Sequence, residues 1–143
     1  MLARRELSEA QVRQRLTRQG HDEDTIDAVV DRLKAERAVD DARTAAAIAR
    51  TELSVKRRGK LRVKRQIESA GIASSIAKRA ADEAFAEVDD LALLEAALAR
   101  RLRGREQFAD DREFQRAYRY LVTQGFEPDR VLNALRRRRP AAE

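Results

Sequence analysis

The sequence has no cysteine and no tryptophan, one histidine, and four Phe and two Tyr as its whole aromatic content. Without cysteine there is no disulfide framework, no thiolate nucleophile and no zinc-finger site, which fits a reducing, cytoplasmic compartment. A single histidine, His21, excludes a two-histidine metal or catalytic constellation within one chain. It follows a helix stop and reads as an exposed turn residue. No apolar run approaches the roughly 20 residues that span a bilayer. The N-terminus carries no apolar segment of the kind that opens a secretory leader. There is no Gly-x-x-x-x-Gly-Lys phosphate loop and no calcium-loop spacing among the acids. An enzyme, a metal site, a cofactor and a small-molecule ligand are therefore not expected.

Charge is abundant and segregated. Lys plus Arg number 31 and Asp plus Glu 25, a net +6, and charged residues make up 39% of the chain. The stretch from Asp22 to Asp41 is mostly acidic, whereas Lys56 to Arg65 carries seven cations and no acid. Two further basic clusters follow, Arg100, Arg101, Arg103 and Arg105, then Arg136 to Arg139. Alternating surfaces of this kind suit a partner that presents both signs, such as a protein-coated nucleic acid.

The pattern reads as all helix. Only five Gly and two Pro interrupt 143 residues, and Ala, Leu, Arg, Glu and Gln, all good helix formers, dominate. Ser8 with Gln11 predicts a capping box, and Gly20 a helix stop. Asp22, Asp40, Asp89 and Asp110 stand where caps belong. Ser74 or Ser75 is the expected cap of a later helix. Pro128 fits the first turn of the last one. Ile26, Val29, Val30 and Leu33 form an i, i+3, i+4, i+7 face.

An internal repeat organises these helices. Alignment on Gly20, Gly71 and Gly125 brings Leu16, Ile67 and Leu121 into register four residues upstream, and Ile26, Ala77 and Val131 six residues downstream. The spacings are 71 − 20 = 51 and 125 − 71 = 54. Val39-Asp40-Asp41 matches Val88-Asp89-Asp90. Each unit reads as three helices, a long one opened by Asp-Asp and a helix–Gly–helix pair. The expected fold class is all-α: three tandem three-helix repeats in an elongated, curved chain. The units are residues 1–38, 39–87 and 88–143, the first lacking most of its opening helix. Units of about 50 residues have small cores. Ala77, Ala80, Ala81 and Ala84 leave the middle one poorest in bulk. Every aromatic lies at or beyond Phe85, so the last should be the best packed.

The run Lys56 to Arg65 is the strongest candidate for a binding surface. On a helix beginning near Gly59, Arg58, Arg62 and Arg65 share one face, with Lys60 and Lys64 near its edges and Val63 and Ile67 opposite. Arg57 precedes it. Like charges at this density repel without a counter-surface, although a solvated face that keeps a small-core protein soluble gives the same pattern. Tyr118 falls on the core stripe with Phe114 and Leu121. Arg119 and Tyr120 lie off it and read as interface anchors or as a half-buried pair. Arg100, Arg101, Arg136 and Arg137 complete the set, the last two also complementing a helix dipole.

Three segments resemble the RecX family of regulatory proteins. Asp40-Asp41-Ala42-Arg43 is similar to that family's Asp-Asp-x-Arg opening. Arg58-Gly59-Lys60-Leu61-Arg62-Val63-Lys64-Arg65-Gln66-Ile67, closing at Gly71-Ile72, resembles its Gly-x-x-Arg-Ile segment. Tyr118-Arg119-Tyr120-Leu121-Val122-Thr123-Gln124-Gly125-Phe126 resembles its C-terminal signature. Ser8 to Gly20 resembles the first helix–Gly element. Thr44 stands where an aromatic is common, and Tyr120 where Phe is common. The resemblance runs from about Leu2 to Arg138. It implies a monomeric, non-enzymatic modulator of the RecA recombinase filament on single-strand DNA. Such a protein inhibits ATP hydrolysis, strand exchange and coprotease activity, and acts from the filament groove or from its growing end.

A second reading is a stand-alone nucleic-acid binder that recognises phosphate without regard to sequence. Against it, acidic helices break the basic clusters, and no helix N-terminus carries several base-reading side chains. From the sequence alone, charge reversal at Arg58, Arg62 and Arg65 is expected to weaken partner binding. Helical circular dichroism is expected to stay unchanged.

Overall fold

The computed structural model describes residues 6–139 of the chain. The described residues form eight α-helices and no strand: α1 (Glu9–Arg18), α2 (Glu23–Ala35), α3 (Asp41–Ser54), α4 (Lys60–Ser69), α5 (Ser74–Phe85), α6 (Asp90–Leu102), α7 (Asp111–Thr123) and α8 (Pro128–Arg136). Five start on side-chain caps. Ser8, Asp22, Asp40, Asp89 and Asp110 each accept the backbone N–H three residues on. Ser8 and Gln11 complete a capping box. Each such cap stabilises its helix by about 1 kcal/mol, and the aspartates also oppose the positive end of the helix dipole. Pro128 occupies the first turn of α8.

The expectation for α5 needs correction. Neither Ser74 nor Ser75 caps it. Ala73 is the N-cap, with no side-chain hydrogen bond, and Ser74 is already helical. Ile72 is buried in the core beneath this turn. Holding it there brings the chain into helix one residue ahead of the hydroxyl.

Two cores result. In the first, α3 packs on α4 and α5 around Val63, Ile67, Ile72 and Phe85, with Ala77, Ala80 and Ala81 as the small face that lets the helices close up. In the second, α6, α7 and α8 enclose Leu94, Leu98, Phe114, Leu121, Val131 and Leu135. There Phe108 meets Phe114 edge to face, with ring centroids 5.8 Å apart. The aromatics thus give the last unit its bulk, as the sequence suggests. Leu93 touches both cores. The α1–α2 pair is leaner, with Ile26 and Val30 as its buried helical positions and Val12, Leu16, Val29 and Leu33 half-buried.

The units are joined by one repeated device. The start of α1 docks on the turn at Gly71. The Ser8 hydroxyl donates to the Ala70 carbonyl, and the Glu9 N–H donates to Asp41 Oδ1 at 2.8 Å. The start of α4 docks on the turn at Gly125. There the Gly59 N–H donates to the Gln124 carbonyl at 2.8 Å and the Leu61 N–H to the Gly125 carbonyl at 3.1 Å. Ser8 and Gly59 occupy equivalent places, 20 − 8 = 12 and 71 − 59 = 12 residues before their own glycines. Side-by-side stacking leaves much surface outside. The chain exposes 10016 Å², against about 7,500 Å² for a compact monomer of this mass.

The two sorts of glycine should respond differently to alanine. Gly59 has an ordinary φ of −74°, but a Cβ there would fall inside the Gly125 backbone. Gly59→Ala is therefore expected to lower unfolding stability in urea by about 1–3 kcal/mol through overpacking. Gly20 has φ +90° and open space around it. Gly20→Ala should cost only the left-handed conformation, about 1 kcal/mol.

Candidate functional site

The basic run splits once the chain is folded. Arg58 and Arg62 both turn to the third unit. Arg58 Nη1 donates to Gln124 Oε1, and Arg62 Nη1 donates to the Thr123 carbonyl at 3.0 Å. Both are half-buried and brace the Gly59–Gly125 junction. Lys60 pairs with Asp82 of α5 at 2.6 Å, and Lys64 with Glu68 at 3.9 Å. Val63 and Ile67 are fully buried, as the periodicity requires. Arg65 is exposed and makes no ion pair with another described residue. Of this face, Arg58, Lys60, Arg62 and Lys64 are thus engaged within the chain. The reason lies in segments remote in sequence. Charge reversal at Arg58 and Arg62 is therefore expected to loosen the unit junction as well.

What remains is a cleft at the same junction. Lys56 and Arg57 close α3, Arg100 and Arg101 close α6, and Tyr120 and Gln124 come from α7 and its end. With Ala97 and Phe126 they line a hollow of about 120 Å³ that contains no acidic side chain. The Arg101 guanidinium sits 4.5 Å from the centroid of the Tyr120 ring. This contact orders the arginine without neutralising it. Tyr120 is 42% exposed. Arg100 and Arg101 also line an adjoining hollow of about 330 Å³ with Arg103, Arg105 and Arg116. There Glu113 forms the one acidic wall and is held by Arg105. That ion pair pulls the Glu113 carboxyl below its usual range.

Among the described residues three arginines adopt the left-handed backbone region, Arg37, Arg57 and Arg103, at φ 58°, 54° and 52°. Arg57 and Arg103 stand just beyond α3 and α6 and flank the two hollows. Glycine takes that conformation more easily.

Of the sequence candidates, Arg57, Arg100, Arg101 and Tyr120 converge on one cleft. Arg119 is exposed on α7. Arg136 and Arg137 lie at the end of α8, where Arg137 lines a separate hollow with Leu91, Glu95 and Arg138. Arg116 and Gln124 were not singled out from sequence. Arg116 stands one helical turn before Tyr120, a spacing that would have flagged it.

Asp82 is engaged within the scaffold. Asp82 receives both Lys60 and Lys78, the latter at 2.8 Å. Hydrogen bonds from these two ammonium groups lower its pKa from the ordinary 3.8 to about 2.

The sequence of residues 1–33 matches the family described as RecX, first three-helix domain. The chain is 34% identical over 127 residues to the regulatory protein RecX of Syntrophotalea carbinolica, covering 88% of this chain and 83% of that protein. It is 32% identical over 131 residues to the regulatory protein RecX of Halorhodospira halophila, covering 92% and 79%. Its fold resembles a crystal structure of regulatory protein RecX at TM-score 0.71 and 22% identity, spanning 91% of this chain and 63% of that one. It also resembles the structure of RecX from Lactobacillus salivarius at TM-score 0.67 and 19% identity, spanning 91% and 86%.

The depressed carboxyl at Asp82 gives a pH test. Its stabilising contribution is complete above about 3.8 and is lost as pH falls through about 2. Carboxyl-carbon NMR should place the Asp82 midpoint near 2, and Lys60→Ala together with Lys78→Ala should return it toward 3.8.

Proposed function

The chain belongs to the RecX family of regulatory proteins, and on that premise we propose that it is a non-enzymatic regulator of the RecA–single-strand DNA filament. In this reading it inhibits the filament's ATP hydrolysis, strand exchange and coprotease activity, and so moderates DNA repair and the SOS response. The observation that carries the reading is the basic cleft at the junction of α3, α6 and α7. Its cations come from two units held in register by backbone hydrogen bonds. Guanidinium groups suit phosphate and carboxylate alike. A filament offers phosphate along the DNA and carboxylates on its protein.

A rigid row of units can touch neighbouring filament subunits at once. Once one contact is made, the second occurs at high effective concentration, so individually weak contacts give useful affinity. Bridging subunits also favours one filament state over another. The equilibrium shifts by as much as the affinities differ. Opposing the closure that hydrolysis requires needs nothing more.

The cleft's chemistry also favours a second reading, direct phosphate binding without regard to RecA. The deciding experiment is single-strand-DNA-dependent ATP hydrolysis by RecA, titrated with this protein, beside its binding to bare DNA in the same buffer. Inhibition well below the concentrations that saturate bare DNA supports the regulator. Inhibition only where this protein coats the DNA supports simple competition for phosphate.

The left-handed arginine separates function from stability. Arg57→Gly relieves the backbone, so the unfolding free energy in urea should hold or rise, by up to about 1 kcal/mol. Inhibition should nevertheless weaken. Adding Arg100→Ala and Arg101→Ala should weaken it further. For each cation lost from a phosphate contact, the salt dependence of DNA binding should flatten by about 0.7 in logarithmic slope.

A further inference from the structure

On the other side of Lys56 lies a cavity that no reading of the basic clusters explains. It measures about 490 Å³ and opens between the start of α1, the length of α3 and the end of α4. Its apolar walls include Ala47, Ile48 and Ala70, and its polar groups include Thr44, Thr51, Glu52 and Gln66. Two of these are almost wholly buried, Thr44 at 1% exposure and Glu52 at 2%. The Thr44 hydroxyl and Glu52 Oε2 have no hydrogen-bond partner. Lys56 Nζ stands 3.1 Å from Glu52 Oε2, close enough to pair but not aligned as a hydrogen-bond donor. Glu6 adds a second carboxylate at the rim, where Arg43 holds it at 2.8 Å.

Buried polar atoms left without partners are costly, a carboxylate most of all. The cavity wall carries donors, Lys56, Gln11 and Gln66 among them, and Lys56 pairs in charge with Glu52, but none hydrogen-bonds the Thr44 hydroxyl or Glu52 Oε2. It also has an apolar stretch beside them. A guanidinium on an aliphatic stem meets both demands, because its planar head carries five N–H donors and its methylenes pack on an apolar wall. An ammonium offers three donors around a point and fits a carboxylate less specifically.

We infer that this cavity is a receptor for an arginine side chain presented by a protein partner, with Glu52 pairing its head, Thr44 accepting one N–H, and Ile48 and Ala70 bordering its stem. The site stands on its own geometry. Its assignment to a partner's side chain rests on the regulator reading. Lys56 lines both this cavity and the basic cleft. A guanidinium that takes over Glu52 releases Lys56 to the cleft, so the two sites bind different chemistry through one shared residue.

The test uses the full chain, labelled with ¹⁵N and titrated with N-acetyl-arginine N-methylamide. The citrulline counterpart, equal in shape but neutral, is the control. Saturable shifts at the amides of Thr44, Thr51, Glu52 and Lys56 are expected. They should be at least fivefold weaker in Glu52→Gln and absent with citrulline. Thr44→Val removes a single hydroxyl and should weaken binding severalfold, and it decides the matter if Glu52→Gln disturbs the fold. No saturable shift, or an equal response to citrulline, overturns the site and leaves a solvent-filled cavity. Arginine binding without inhibition of RecA leaves the site standing and removes the filament as partner. Inhibition of RecA without arginine binding removes the site alone.

Discussion

The contact on which the molecule depends is the close approach of a helix start to the next unit's glycine turn. At Gly59 and Gly125 two backbones meet with no side chain between them. Their N–H and carbonyl groups satisfy one another. A turn with a side chain at either point would hold the units apart and leave those groups unpaired, at a cost of roughly 1–3 kcal/mol for each buried one. Small cores built largely from Ala, Val and Leu cannot absorb many such losses. The same contact at Ser8 and Gly71 attaches the leanest unit by its capping hydroxyl, which serves the Gln11 N–H and the Ala70 carbonyl together.

From that contact follows the arrangement of charge. Joining α4 to the end of α7 consumes Arg58 and Arg62, and α5 neutralises Lys60 through Asp82. The ends of α3 and α6 are then the helix ends that bring arginines together around a hollow that no acid lines. Surface pairs such as Lys78–Asp82 or Arg32–Glu36 contribute little to stability individually. They decide instead which cations remain open to a partner.

Much of the fold was legible because its signals are local. A capping box, four Asp caps, glycine stops and helical periodicity all act within one or two turns, and each is found where the sequence places it. Ser74 failed as a cap because a buried neighbour, Ile72, governed the turn. The site was less legible. The periodicity of α4 shows which side Val63 and Ile67 take, but not that the opposite side meets a carbonyl 61 residues away. Nor does it show that an acid on α5 claims Lys60. The convergence of Arg57 with Arg100, Arg101 and Tyr120 depends on the junction, which is tertiary. Thr44 and Glu52 look in sequence like unremarkable helix residues. Only packing reveals that their polar atoms are buried without partners.

Density of charge along a sequence and availability of charge on a surface are therefore different quantities here. Seven cations in ten residues yield mostly internal bonds, while the cleft draws Arg57 and Lys56 from the edge of that run and Arg100 and Arg101 from a shorter cluster. Backbone conformation separates the two kinds of arginine. Arg58 and Arg62 have partners that account for their presence. Arg57 and Arg103 occupy a conformation that a glycine would hold with less strain, and each turns its cation to an open hollow. Strain of this kind persists where the surrounding structure enforces it, and it concentrates at functional positions. At these helix ends a bare glycine would serve folding better. Both guanidinium groups are exposed at these ends.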